Sequence, residues 1–348
     1  MGVVGYIFVR VRWAIELEMT TTTLLVALCA TAAAQVPTLV LNNGVVMPVI
    51  AAGTAGYNDS EAAAAVRAAW AANVTAVHTA YDYYNLAGVG AAVAELPRER
   101  LFLSSMTSPC VHLAAPPVRN VSDPEACESL TAAELDDVLA QLGVAALDLV
   151  MLHGPSEPNG YAGPCAGVPC ALNAAQWRAY ESFLRAGKAR AIGVSNFCQS
   201  CLACLGLGAP AAAPSARGAR APTVPAVNQI QYHVGEGPDP EGLVGDTAAL
   251  GANVQAYSPL ASGAVVDDAD VQAIADAYGK SAAQVGLRFV LQNAAAPSLV
   301  VKASTAEYLA EDIDVFDFVL ADADMATLAA KTEPKGQSDG RPSWGCGE

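Results

Sequence analysis

An α/β fold built as a single closed (β/α)8 barrel of the TIM type is predicted by three observations on this chain of 348 residues. Eight short apolar runs rich in Val, Ile and Leu alternate with Ala-rich helical stretches, and such alternation implies parallel strands joined by right-handed crossovers. The later runs break off in polar residues, as in ARAIGVSNF (189–197), VNQIQYH (227–233), VQAYSPL (254–260) and LVVKAST (299–305), so their C-terminal tips converge on one site. No G-x-G-x-x-G opens a helix after the first strand, which disfavours an open doubly wound sheet.

Taken in order, the chain first shows an address. Residues 20–34, TTTTLLVALCATAAA, form a short apolar stretch ending in small residues, the pattern of a secretory leader cut at Ala34, with residues 1–34 set apart from the fold. A disordered Ala-rich leader is the alternative, and the run is too short for a membrane span. Next, LVLNNGVVMP (39–48) places two apolar runs around Asn42-Asn43-Gly44 and reads as a hairpin closing the barrel floor. The barrel proper, within residues 35–335, starts with VIAAGTAG (49–56), a helix over 60–72, AVHTAYDYYN (76–85), LFLSSMTS (101–108) and LDLVMLHGP (147–155). Two long loops, 107–130 and 157–172, follow strands and should overhang the mouth, where substrate pockets are shaped. The Pro- and Ala-rich stretch 205–224 reads as a linker on the floor side, and residues 336–348 as a tail in which Trp344 could reach the mouth.

Composition narrows the partners. With 34 acidic against 18 basic residues and a net charge of -16, the chain has no clustered cations for nucleic acid or anionic membranes. Removing Cys29 with the leader leaves an even set of eight cysteines, which in an exported chain predicts disulfides. Sequons at Asn58, Asn73 and Asn120 are compatible with glycosylation. Cys198-x-x-Cys201-x-x-Cys204 lacks a fourth metal ligand nearby, so packing or disulfide bonding is expected there and no metal is assigned.

The ordered series of strand-tip motifs resembles the aldo-keto reductase family across residues 36–330. The resemblance implies that Ser195, Asn196 and Gln229 hold a nicotinamide carboxamide, whose donor and acceptor those side chains can satisfy. It also implies that Tyr257 stacks on the ring and that Ser258 and Leu260 line the same cofactor. For the adenosine phosphate it implies Lys302, Thr305 and Glu311, with Tyr308 standing where the family has an Arg and Asp312 where it has an Asn. NADPH is the expected cofactor and NADH the alternative. The catalytic positions fall on Tyr83, expected to donate a proton, and His153, expected to orient the carbonyl of a small-molecule aldehyde or ketone. Two family positions are substituted: His78 replaces an Asp and Met106 a Lys. A protonated His78 would supply the missing charge and favour mildly acidic pH. The alternative is a weak or inactive barrel acting as a nucleotide-binding or regulatory module.

Overall fold

The computed structural model describes residues 36–113, 118–156, 165, 167–207, 222–293, 297–302 and 305–334. The cleavage point at Ala34, most of the 205–224 stretch and the Trp344 tail lie outside them. Twelve strands are described. A two-stranded antiparallel hairpin, β1 (Thr38–Val40) and β2 (Val46–Pro48), precedes the barrel strands β3 (Ile50–Gly53), β4 (Ala76–His78) and β5 (Phe102–Thr107). After a second hairpin of β6 (Val111–His112) and β7 (Arg119–Asn120) come β8 (Leu147–Leu152), β9 (Ala189–Ser195), β10 (Val227–Gln231), β11 (Asn253–Tyr257) and β12 (Ser298–Val301). Eight of them close on themselves, every ladder parallel, with β12 pairing β3 through Leu299–Ile50, Val300–Ala51 and Val301–Ala52. The predicted (β/α)8 barrel is therefore the fold.

Local chemistry sets the element boundaries. Helix α1 (Asp59–Ala71) begins at a capping box: the Asn58 side-chain Oδ1 accepts from the Glu61 backbone N–H at 3.0 Å, and the Asn58 backbone N–H donates to the Glu61 carboxylate at 2.9 Å. Helix α2 (Leu86–Val93) packs on α1 so closely that a Cβ on Gly88 would lie 2.0 Å from the Asp59 carbonyl oxygen, so only glycine fits there. Helix α3 (Pro124–Leu142) opens with Asp123 as cap and Pro124 in its first turn, both helix-start signals, and stops at Gly143 with φ +67°. The stretch 107–130 is thus not one loop: it holds the β6–β7 hairpin and the first turns of α3. Likewise α4 (Gly167–Arg185) starts inside the stretch 157–172.

Two apolar layers follow from the strand period of two. Inside the barrel, Ala51, Phe102, Met106, Leu149, Met151, Ala191 and Val227 pack with Leu41, Val45 and Met47 of the hairpin, which plugs the floor as predicted. Asn42 and Asn43 fasten the plug by donating to the Pro225 and Arg190 carbonyls at 2.9 and 3.0 Å. The second layer lies between strands and helices and includes Leu103, Val150, Ile192, Leu135 and Trp177.

Three disulfides, Cys110–Cys127, Cys165–Cys201 and Cys170–Cys204, sit on the segments that follow β5, β8 and β9. The last two join the start of α4 to α5 (Gln199–Cys204), so Cys201 and Cys204 of the closely spaced set serve cross-linking while Cys198 is buried as a thiol. Among the described residues, no helix is long and apolar enough to cross a membrane.

Candidate active site

A cavity of about 610 Å³ opens at the strand tips and is lined by residues from β3, β4, β8, β9, β10, β11 and β12 or the turns after them. Its floor at β3 is Gly53, where a Cβ would lie 2.8 Å from Val300. After β4 the chain makes a short 3-10 turn over Tyr81–Tyr83. Buried Asn85 holds that turn: its amide donates to the Thr54 and Tyr57 carbonyls at 2.8 and 2.9 Å and accepts from the Thr79 hydroxyl at 3.1 Å. Asp82 and Tyr83 are thereby fixed at the cavity wall.

His153 follows β8, its N–H donating to the Thr107 carbonyl at 3.0 Å. The Nδ1 of its ring lies 2.8 Å from Asp82 Oδ1, and ring and Tyr83 meet edge to face at 5.5 Å between centroids. Burial opposes ionisation of Asp82, but the facing His153 ring and its hydrogen bond outweigh it and hold the carboxyl below its usual range. Tyr83 moves the other way: burial first, then the Asp82 charge, push its hydroxyl well above the usual phenol value.

His78 is not the cation its position suggested. Its Nδ1 lies 3.0 Å from a Ser104 hydroxyl whose own proton goes to the Val77 carbonyl at 3.1 Å, so Nδ1 must donate. Nε2 faces the Gln229 amide nitrogen at 3.5 Å, a donor that requires an unprotonated partner. Full burial, then the neighbouring His153, lower its pKa to about 3. A neutral imidazole satisfies every contact, and the expected protonated form at mildly acidic pH is corrected accordingly. Met106 is wholly buried in the apolar interior against which Tyr83 packs. Among the described residues, Lys302 is the sole Lys or Arg lining the cavity.

Of the residues singled out in the sequence, Tyr83, His153, His78, Asn196, Gln229, Tyr257, Ser258, Leu260 and Lys302 line this one cavity. Ser195, Thr305 and Glu311 are not among the lining residues. Ser195 spends its hydroxyl on the Gln229 carbonyl at 2.8 Å, and Thr305 caps α6 (Ala306–Ile313), accepting from the Tyr308 N–H at 3.2 Å. Asp312 lines the cavity in their neighbourhood, buried, its carboxyl pushed up to about 7 by burial and by Glu311. Asp82 and His112 are the additions that sequence reading missed. With His112, brought in by the β6–β7 hairpin, three of the chain's four histidines meet here. Asp82 had a signal, since it adjoins Tyr83 in AYDYYN; His112 had only its place after a strand.

The residues present fit a nicotinamide dinucleotide. Asn196 adopts φ +65°, its Nδ2 donates to the His153 carbonyl at 2.9 Å, and its Oδ1 is buried with no hydrogen-bond partner. An orphaned buried acceptor costs about 1–3 kcal/mol and calls for a donor such as a carboxamide N–H. Tyr257 offers a half-buried ring nearby, and Ser258, Ala261 and Ser262 hold left-handed backbone (φ +50°, +47° and +55°) in the loop beside it. Such conformations cost about 1–2 kcal/mol per residue, and cluster where a binding loop is held in shape. Lys302 Nζ rests 4.4 Å over the Tyr57 ring at the β12 side.

Residues 49–333 match the sequence profile of the Aldo/keto reductase family. Morphine 6-dehydrogenase of Pseudomonas putida is 31% identical over 315 residues, covering 85% of this chain and 91% of that protein. An aldo-keto reductase of Mycobacterium tuberculosis is 35% identical over 304 residues, with coverage of 85% and 91%. Among solved structures, an aldo/keto reductase from Brucella melitensis superposes with a TM-score of 0.68 at 26% identity, over 85% of this chain and 99% of that one.

Proposed function

The chain belongs to the aldo/keto reductase family, and from that premise we propose that it reduces an aldehyde or ketone to an alcohol, taking hydride from NADPH or, failing that, NADH. The observation that carries this reading is the convergence of Asn196, with its unpartnered Oδ1, and the Tyr83–His153 pair on one cavity. The dihydronicotinamide, when bound, supplies the hydride. Asn196 and Gln229 would hold its carboxamide, Tyr257 its ring, and Lys302 the adenosine end. Tyr83 and His153 hold the carbonyl oxygen, and one of them gives it a proton. NADPH is favoured by Lys302, although Tyr308 cannot reproduce the bidentate grip of an Arg on a 2′-phosphate.

A second reading, a barrel that binds nucleotide without turnover, is favoured by the apolar surroundings of Tyr83 and the neutral His78. Oxidation of NADPH and NADH, followed with a panel of small aldehydes and ketones, decides between them. Turnover is expected, and Asn196→Ala should weaken dinucleotide binding about tenfold through loss of one buried hydrogen bond. Dinucleotide binding with no turnover of any carbonyl would establish the binding module instead. The three disulfides support an oxidising compartment and hence the proposed leader, while glycosylation at the exposed Asn58 and Asn120 belongs to the same proposal.

A further inference from the structure

The reductase reading leaves two candidates for the proton, and the surroundings of the two side chains are unequal. Tyr83 packs on the interior that contains Met106, beside an ionised Asp82, so its proton is held tightly. General acids work best when their proton is released near the operating pH, and a phenol pushed upward is far from that. His153 is placed oppositely. An ionised carboxylate only accepts hydrogen bonds, so Asp82 at 2.8 Å from Nδ1 requires the Nδ1–H form and leaves Nε2 as the ring atom that can exchange a proton. A carboxylate at Nδ1 also stabilises positive charge on an imidazole and fixes its orientation. The backbone on both sides is pinned, by the Thr107 carbonyl and by the Asn196 amide.

His78, neutral, faces His153 from β4; His112 faces Asp82 from the β6–β7 hairpin; Tyr83 lies edge-on to the ring. Glu134 on α3 also senses Asp82 but is engaged by Arg119. Lys302 is the sole Lys or Arg among the described lining residues, and apolar Met106 lies in the interior on which Tyr83 packs.

We propose that the carbonyl oxygen takes its proton from His153 Nε2, with Asp82 as the positioning residue and Tyr83 reduced to a hydrogen-bond donor that holds the oxygen. The proposal rests on the reductase reading. As the hydride and its two electrons reach the carbonyl carbon, the C=O π pair moves to oxygen. The ring enters this step doubly protonated, its Nδ1–H held by Asp82; the oxygen forms its O–H bond with the Nε2 proton, and the Nε2–H pair stays on the ring, leaving the neutral Nδ1–H imidazole. The carbonyl is reduced, the dihydronicotinamide is oxidised, and the ring recovers its proton from water.

The test compares Asp82→Asn, Asp82→Glu and Tyr83→Phe in the full chain, by kinetics and by nitrogen NMR of labelled histidine. Asp82→Asn should lower kcat by about 10²–10⁴ with little change in KM, the size expected of a lost general acid. Asp82→Glu should recover at least about tenfold of that loss, because the carboxylate is kept. Tyr83→Phe should cost about tenfold, mostly in KM, as one hydrogen bond to substrate is removed. The Nδ1-protonated signal of His153 should persist in Tyr83→Phe and vanish in Asp82→Asn, a change that a packing role for Asp82 would not produce. If Tyr83→Phe abolishes turnover while Asp82→Asn stays within threefold of the parent, the proposal falls and the reductase reading stands. If the parent protein itself binds dinucleotide but turns over no carbonyl, both fall.

Discussion

Asp312 shows how a single side chain can carry a cost at the edge of a working cavity. Buried at the cavity wall and next to Glu311, its carboxyl is pushed up from 3.8 to about 7. The folded state therefore holds this proton more tightly than the unfolded chain does. Stability falls as pH rises from about 4 through about 7, and the penalty is fully present above that. Asp312→Asn should raise the free energy of unfolding by about 2–4 kcal/mol at pH 8 and by nothing measurable below about pH 4. Urea denaturation of both proteins at the two pH values measures it; equal stability at pH 8 would show that the carboxyl is solvated. His78 illustrates the reverse direction. Its Ser104 and Gln229 contacts are satisfied by the neutral ring alone, which is why a residue placed where a charge was expected does not supply one.

At the level of elements, the mouth is built from segments that secondary structure by itself would hold poorly. The β6–β7 hairpin pairs only Val111 with Asn120 and His112 with Arg119, too little for independent stability. Cys110–Cys127 ties it to α3, and the Arg119–Glu134 ion pair does so again nearby. Cys165–Cys201 and Cys170–Cys204 close loops of 36 and 34 residues between the start of α4 and α5, two residues past Phe197 and close in sequence to Asn196. Closing a loop of that length stabilises by about 3–4 kcal/mol in the chain-entropy account. Replacing Cys165 and Cys201 together by Ser should lower the unfolding free energy by about that amount and weaken dinucleotide binding, since Asn196 lies just ahead of α5. Calorimetric melting with and without dinucleotide tests both statements. Unchanged melting would show that Cys170–Cys204 and the packing of Trp177, Phe197 and Leu202 hold α4 to α5 without the second disulfide.

Across the whole molecule, the barrel interior is the medium in which the site operates. Met106 lies two residues beyond Ser104 on β5 and so faces the same interior, while Ser104 is paired with His78 across the ladder. Met106→Lys would place an ammonium among Phe102, Leu149 and Met151 and should destabilise the fold by about 3–5 kcal/mol, as an unpaired buried charge does. His78→Asp supplies the counter-charge one strand away. The double variant should regain about 1–3 kcal/mol over the sum of the two single changes, measured as a coupling energy in a denaturation cycle. Strict additivity would mean that the two positions do not meet.

The eight strands, the plugging hairpin and most of the cavity lining were legible in the chain because each is local. Strand runs end in polar tips, a period of two sends alternate side chains inward, and Asn-Gly marks a turn whatever surrounds it. The boundary at Pro124 was carried by short-range signals, Asp123 and Pro124, hidden in a long stretch that read as loop. The pairing of Asp82 with His153, the arrival of His112, the neutrality of His78 and the partners of six cysteines were settled by tertiary structure alone. Each depends on groups far apart in sequence, 71 residues in the Asp82–His153 case, brought within a hydrogen bond's length. Proton affinity and disulfide geometry are properties of that distance and of the burial around it, and neither is written in the order of residues.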